Sequence, residues 1–406
     1  MKINHYFTFI AVVLASLSYR NAYCDDHSLS DSSWISFITC GSGDELYSTF
    51  GHSAVRVHDP ENGMDLVFNY GTFDFGDPEF YSKFVRGKLN YFLSVAHFED
   101  FLEDYMWENR SVYEQVLNLS TDDRNKVFEY LKENYKEENR FYLYDFFFDN
   151  CSTRELDILE DVLNTRLILP PYARNITDSS FRQLTDPYLI NMPWSDFGID
   201  LGLGSPTDHK ATFVEYAYLP DKLRDLISVA RIQHGDTMAP LVKESRYLFQ
   251  SVAGHSGSSG ISISDPLSCA LILLGLGIIY TLYTIRKELY WSWFDIILFL
   301  IVGLTGCLLA FLWFGTDHTA TIWNYNLLWA PPTHVLFALF LKKIRYSSLG
   351  RYYLLITIAG CLAAILVRIA GIQLIHTATW PLMALIILRS VVMLYGRSKK
   401  PRDRYY

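Results

Sequence analysis

The stretch Asp149-Asn150-Cys151-Ser152-Thr153-Arg154 opens an amphipathic helix, because Leu156, Leu159, Val162 and Leu163 follow it at helical spacing. An aromatic run, Phe141 to Phe148, leads into it. Asn150 is a favoured N-cap residue, which puts Cys151 on the first turn. Unpaired backbone N–H groups and the helix dipole favour an anion there, so a thiol at this address is more acidic than usual. Cys151 is therefore a candidate nucleophile that needs a base, an orienting group and a substrate. The plainer alternative is a buried structural thiol, or a disulfide with Cys40, which an oxidising compartment would permit.

Upstream, Trp34 to Ile38 reads as a strand and Phe50-Gly51-His52-Ser53-Ala54-Val55-Arg56-Val57-His58 as a second. Asp59-Pro60-Glu61-Asn62-Gly63 is a turn, and Leu66 to Tyr70 is the returning strand of a hairpin. His52 is the candidate base, since a thiol nucleophile needs a proton acceptor that titrates near neutrality. If residues 58 and 64 face each other, His52 lies opposite Tyr70, and a one-residue shift places it opposite Asn69. Either could orient the imidazole. His58, on the same strand face, could replace His52. Asn150 is a polar neighbour of the thiol, and Arg154 could bind an anionic group or pair with Glu155 or Asp157. His52, His58 and Asp59 lack the spacing of a metal cluster, so no metal is expected. No Gly-rich phosphate loop or CxxC pair suggests a cofactor.

The remaining pattern gives a helix over 98–109, a strand over 112–119 and a helix from Ser120 to about Lys136. Residues 170–210, rich in Pro, Gly and Asp, read as loops; 221–232 and 240–251 read as helices. Met1-Lys2 followed by the apolar run Phe7 to Leu17 reads as a secretory signal. The expected division is a signal peptide 1–24, an exported domain 25–253, a Gly/Ser-rich linker 254–266, a membrane domain 267–396 and a basic tail 397–406.

Charge and hydropathy are unevenly distributed. The 406-residue chain is half hydrophobic and 16% aromatic, with a net charge of −9. Its acidic residues gather in the first two thirds, and an acidic balance argues against nucleic-acid binding. From Leu267 onward, apolar runs at about 267–285, 295–314, 326–341, 353–373 and 379–395 approach the roughly 20 residues that cross a bilayer. The third is short and interrupted by Pro331-Pro332. Arg286-Lys287, Lys342-Lys343 with Arg345 and Arg351, and Arg397 with Lys399-Lys400 all fall on one side, which is cytoplasmic by the positive-inside rule. The first domain then faces the periplasm, in agreement with the signal peptide. The outward loop Thr316 to Asn326 is polar and aromatic. His318 there, and Arg368 near the outer face, are candidate contacts to lipid head groups; an interfacial belt and snorkelling are the plainer accounts.

His first, then Cys at a helix start after an Asn, is the reverse of the papain order. It resembles the circularly permuted papain-like group, which includes permuted NlpC/P60 hydrolases and lecithin:retinol acyltransferase-type enzymes. The whole chain is similar to the Lnb-type lipoprotein N-acyltransferases of Bacteroidota, through Gly43-Asp44-Glu45-Leu46-Tyr47-Ser48-Thr49-Phe50-Gly51-His52, Phe68-Asn69-Tyr70-Gly71-Thr72-Phe73-Asp74-Phe75, Phe84-Val85-Arg86-Gly87-Lys88-Leu89 and Asp149 to Arg154. The resemblance implies an α+β, circularly permuted papain-like periplasmic domain followed by an all-α bundle of about five transmembrane helices in the inner membrane. It implies an acyltransferase that moves an acyl chain from a phospholipid donor, through a Cys151 thioester with His52 and Asn69, to the N-terminal amine of a lipoprotein acceptor. A cysteine peptidase or amidase acting on cell-wall peptides is the first rival. A non-enzymatic assembly protein with a Cys40–Cys151 disulfide is the second.

Overall fold

The short turn Pro60–Gly63 folds the chain back on itself and starts the sheet that carries the site. In the computed structural model, which describes residues 28–74, 76–252, 263–287 and 292–395, β1 (Trp34–Cys40), β2 (His52–Asp59) and β3 (Met64–Thr72) pair antiparallel. The expected signal peptide, most of the linker and the basic tail lie outside the described residues. Asp59 faces Met64 and Val55 faces Phe68. The register is thus one residue away from the expected one, and on the other side of it from the considered shift. The cause is local. The Asp59 carboxylate accepts from Ser30 N (2.8 Å) and Asn62 Nδ2 (2.8 Å), which holds Asp59 in the ladder as the last pair before the turn.

β4 (Asn90–His97), β5 (Val112–Leu117), β6 (Phe141–Leu143) and β12 (Val242–Phe249) complete a seven-stranded sheet in the order β12-β5-β1-β2-β3-β4-β6. Small side sheets join β7 (Leu167–Ile168) to β10 (Arg231–His234) and β11 (Thr237–Pro240), and β8 (Ile176–Ser180) to β9 (Lys210–Thr212). α1 (Phe80–Val85), α2 (Phe98–Trp107), α3 (Thr121–Tyr135), α4 (Cys151–Leu163), α5 (Phe181–Thr185), α6 (Pro193–Gly202) and α7 (Pro220–Val229) surround the sheet. Leu156, Ile158, Leu159 and Leu163 of α4 pack with Val55 and Val57 of β2 and Phe68 of β3 in the main core. On the opposite face Phe98 and Phe101 of α2 cover Ile38, Ala54 and Val67. Burial on both faces explains why β2 is apolar at successive positions.

Two expectations fail here. Residues 240–251 are a strand, not a helix. Lys243, Glu244 and Arg246, which suggested a helix surface, are the charges of a sheet edge, and Arg246 pairs across β5 with buried Glu114 at 2.8 Å. Residues 170–210 are not merely loops but carry β8, α5 and α6, organised by Arg182. This arginine is fully buried and pairs with Asp200 (2.9 Å) and Asp208 (3.1 Å).

The second domain holds α8 (Pro266–Arg286), α9 (Trp293–Phe314), α10 (Thr333–Ile344), α11 (Ser348–Ile369) and α12 (Thr379–Tyr395). Among the described residues α8, α9 and α11 are long and apolar enough to cross a membrane, and α12 is a shorter apolar helix. The third run is broken where its two prolines interrupt it. Pro331 and Pro332 separate a 3-10 turn (Tyr325–Leu328) from α10, whose 12 residues reach only about 18 Å. Arg389 of α12 is fully buried, grips Asp295 through two nitrogens (2.7 and 3.0 Å) and donates to Thr281 Oγ1 (2.7 Å).

The first domain sits on the ends of these helices remote from the basic loops. Gly204 N donates to Ala320 O (2.8 Å), Asn324 Nδ2 to Leu201 O (2.8 Å) and Leu374 N to Asp208 Oδ1 (2.9 Å). Trp194 Nε1 reaches Ser264 O (2.8 Å), and His376 lies 3.3 Å from Asp196. Gly204 has no alternative residue, because a Cβ would come within 1.8 Å of the Ile322 carbonyl oxygen.

Candidate active site

Cys151 is the first residue of α4, and Asn150 caps that helix. The Asn150 side-chain oxygen accepts from Ser152 N (2.9 Å) and Thr153 N (3.0 Å), and Thr153 Oγ1 accepts from Asn150 N (2.8 Å), closing a reciprocal capping box. Asn150 Nδ2 donates to Phe146 O and Tyr218 O, both at 2.8 Å. With both ends of its amide engaged, Asn150 fixes the start of the helix and has no polar atom left for a substrate.

The hairpin delivers His52 to this point. Gly51, just before β2, has φ +79°, and a Cβ there would stand 2.8 Å from the Cys40 carbonyl oxygen. Only glycine fits both the backbone conformation and the close approach. His52 Nε2 donates to Asn69 Oδ1, and the imidazole bonds the Cys151 thiol. Asn69 sits where β3 leaves regular pairing with β4, at a register shift between Asn69 and Thr72. The irregularity helps to aim its side chain at the imidazole.

Electrostatics follow from this geometry. Burial alone would raise the Cys151 pKa. The neighbouring His52 charge, the His52 hydrogen bond and hydrogen bonds from the Ser53 backbone and hydroxyl outweigh it and bring the thiol down to about 6. Burial works to lower His52, but the Cys151 thiolate and the hydrogen bonds to Cys151 and Asn69 raise it. The pair therefore rests as thiolate and imidazolium across a window that opens near pH 6 and closes above the ordinary histidine value.

Cys40 stands directly across the β1–β2 ladder from His52. Both Cys40 and Cys151 are free thiols. Burial pushes the Cys40 pKa far up, so it stays a neutral thiol. The disulfide alternative is therefore not the arrangement formed.

The other candidates are placed elsewhere. Tyr70 turns to the core face, where it meets Tyr142 (6.3 Å between rings) and Arg154 (6.0 Å from its ring), not His52. Neighbouring strand residues point to opposite faces, so Asn69 and Tyr70 could not both serve. His58 lies six residues along β2, about 20 Å from His52, stacked on Trp34 (4.0 Å) and 3.1 Å from Asp65. Arg154 pairs with Asp149 (Nη2 to Oδ2, 2.7 Å), not with Glu155 or Asp157, and covers the Tyr142 ring at 4.2 Å. His318 Nε2 donates to Val85 O (3.2 Å) in the first domain. Arg368 is half-buried in the last turn of α11.

Two features of the site went unrecognised in the sequence. Ser53 supplies hydrogen bonds to the thiolate while its hydroxyl meets Ser152 Oγ at 3.0 Å. Glu155 is 1% exposed, and the Ser53 hydroxyl is the neighbour that favours its charged form. Burial, and then the Cys151 charge one turn away, push its pKa well above the usual carboxylate range, so it is a neutral acid beneath the Cys151 thiol. The signal was present: positions 151, 155, 158 and 159 form one helical stripe, and a glutamate on a buried stripe is a site marker.

The family model described as "Lnb N-terminal periplasmic domain" matches residues 21–180, and the one described as "Lnb transmembrane domain" matches residues 258–401. No curated protein and no solved structure matches the chain. The two models fall in order on the sheet domain and on the helical domain, and the first contains His52, Asn69 and Cys151. The chain belongs to the Lnb family, a membrane protein whose N-terminal α+β domain is periplasmic.

Proposed function

We propose that this protein is a thiol-dependent acyltransferase of the bacterial inner membrane, taking an acyl chain from a phospholipid and passing it to the N-terminal amine of a diacylglyceryl lipoprotein. The observation that carries the reading is an acidified Cys151 beside His52 and Asn69, in a domain held on the outer ends of membrane helices. Both substrates are lipids with their reactive ends at the bilayer surface, and a docked thiol meets them there.

In the first half-reaction the Cys151 thiolate attacks the ester carbonyl carbon. The carbon–oxygen bond to glycerol breaks, and the departing alkoxide takes the proton of the His52 imidazolium. A thioester and a neutral His52 remain. In the second half-reaction the acceptor amine attacks the thioester carbonyl, His52 takes the amine's proton, and the carbon–sulfur bond breaks to restore thiolate and imidazolium. Asn150 already occupies the Ser152 and Thr153 N–H groups. The Cys151 N–H is therefore the helix-start donor for the oxyanion.

The test is mass spectrometry of lipoprotein N-termini from cells carrying wild type or Cys151→Ala. Loss of the N-linked acyl chain in the variant is expected. An unchanged acylation state would sink the proposed acceptor, and absence of an acyl adduct on purified Cys151 given bilayer phospholipid would sink the thioester.

A further inference from the structure

Outside the thiol site, α1 carries an exposed aromatic surface. Tyr81, Phe84 and Val85 are 79%, 50% and 44% exposed. The helix is tied to the segment that immediately follows α9: Asp317 N donates to Arg86 O (2.9 Å), His318 bonds Val85 O, and Lys88 lies 3.6 Å from Asp317. α9 ends at Phe314, which stacks on Trp313 (4.7 Å); Trp313 in turn meets Trp323 (5.3 Å). Such aromatic clusters mark the membrane–water interface. α1 is therefore held at the height of the outer interface, with apolar side chains outward and the exposed cations Arg86 and Lys88 beside them.

A row of rings runs from this helix toward the thiol. Phe80 meets Phe73 (5.7 Å), Phe73 meets Tyr91 (5.3 Å), and Tyr91 stacks on Tyr144 (4.4 Å). Tyr144 is in turn close enough to Cys151 to respond to its charge. Tyr144 also packs against Gly71, two residues after Asn69, whose Cβ position lies 3.5 Å from the ring. Lys83 is paired with Asp77 at 2.7 Å, so its charge is met within the protein.

We propose that Tyr81, Phe84 and Val85 seat α1 in the outer leaflet, and that the row Phe80–Phe73–Tyr91–Tyr144 is the ramp along which a bilayer phospholipid brings its ester to Cys151. Arg86 and Lys88 meet the phosphate while the acyl region follows the rings. The ramp rests on the acyl-transfer reading; the leaflet contact does not.

The experiment places the photo-crosslinking residue p-benzoylphenylalanine at position 81 or 84 of the full chain. The protein is reconstituted in nanodiscs of phosphatidylethanolamine and phosphatidylglycerol. Phospholipid adducts are expected at both positions and not at Lys126 on α3. Absence of adducts at 81 and 84, while the same group at Phe314 gives them, overturns the contact, as does exclusive crosslinking to protein. The double variant Tyr81→Asp/Phe84→Asp should slow acyl-thioester formation from nanodisc phospholipid at least about tenfold, because two apolar side chains leave the interface. Alkylation of Cys151 by iodoacetamide should stay unchanged. Unaltered acylation overturns the ramp. Lipid adducts with a wild-type thiol that accepts no acyl group overturn the acyl-transfer reading and leave the leaflet contact standing.

Discussion

Cys151 is acidic because of its neighbours, and each neighbour can be removed separately. The pH profile of iodoacetamide alkylation should have its midpoint near the thiol's value of about 6. His52→Ala removes the charge that opposes burial, so that midpoint should move upward by more than one unit. Asn69 receives the other imidazole nitrogen, and a hydrogen bond to a charged group is worth roughly 1.5–3 kcal/mol. Asn69→Ala should therefore slow acyl-thioester formation by about 10- to 100-fold and lower thermal stability modestly, while Asn69→Asp, which keeps an acceptor, should recover much of both. Glu155 makes a different prediction. Its pKa is raised in the folded protein, so above about pH 4.3 the folded state holds a proton that the unfolded state has lost. Stability from this group is complete below that value and falls as pH rises toward the folded pKa. Glu155→Gln removes the dependence. Its melting temperature should gain on wild type more at pH 8 than at pH 5, and an equal difference at both pH values would refute the neutral buried acid. At this scale the sequence offered Cys151 and His52 as candidates, and the structure places the two side by side. It left Asn69 and Tyr70 as equals, because the turn that sets their faces is held by Ser30, far upstream in the chain.

α4, β2 and β3 were legible as elements because their own residues specify them: a cap, a glycine-led strand and a Pro/Gly turn. β12 was not. Its pattern of Lys, Glu, Ser and Arg suits either a helix surface or a charged edge strand, and only β5, more than a hundred residues earlier, decides between them. α5 and α6 were hidden for a related reason. Their order depends on Arg182 meeting two carboxylates from separate segments, and no local pattern reveals that meeting. Arg182→Ala would leave Asp200 and Asp208 buried without their cation. Removing one side of a buried pair costs roughly 3–5 kcal/mol, so the purified variant should melt well below wild type. A melt within a degree of wild type would show that the node is dispensable.

Across the whole molecule, hydropathy and loop charge gave the orientation, and the contacts between domains agree with it: every one described lies at the helix ends away from Arg286 and Lys342-Lys343. The docking itself left no trace in the sequence, since it is built largely from backbone atoms and from a glycine that could have been any loop glycine. Gly204→Val would drive a side chain into the Ile322 carbonyl and pry the domains apart. We expect acylation from bilayer phospholipid to fall steeply in this variant while iodoacetamide still labels Cys151 at the wild-type rate. Equal loss of both would mean that the substitution damaged the thiol site rather than its seating.

Thr319 Oγ1 donates to Asp145 Oδ2 at 2.6 Å, and the same Asp145 carboxylate caps Phe147 N just ahead of Cys151 (2.9 Å). Chains are made from the N-terminus, and early domains fold first. β12 precedes α8, so a nascent chain can close its sheet before any membrane helix is made. Thr319 arrives only after α9. The loop that presents Cys151 therefore acquires the Thr319 contact from a segment synthesised long after it, and the surroundings of this thiol are complete only once α9 and the loop that follows it have been made.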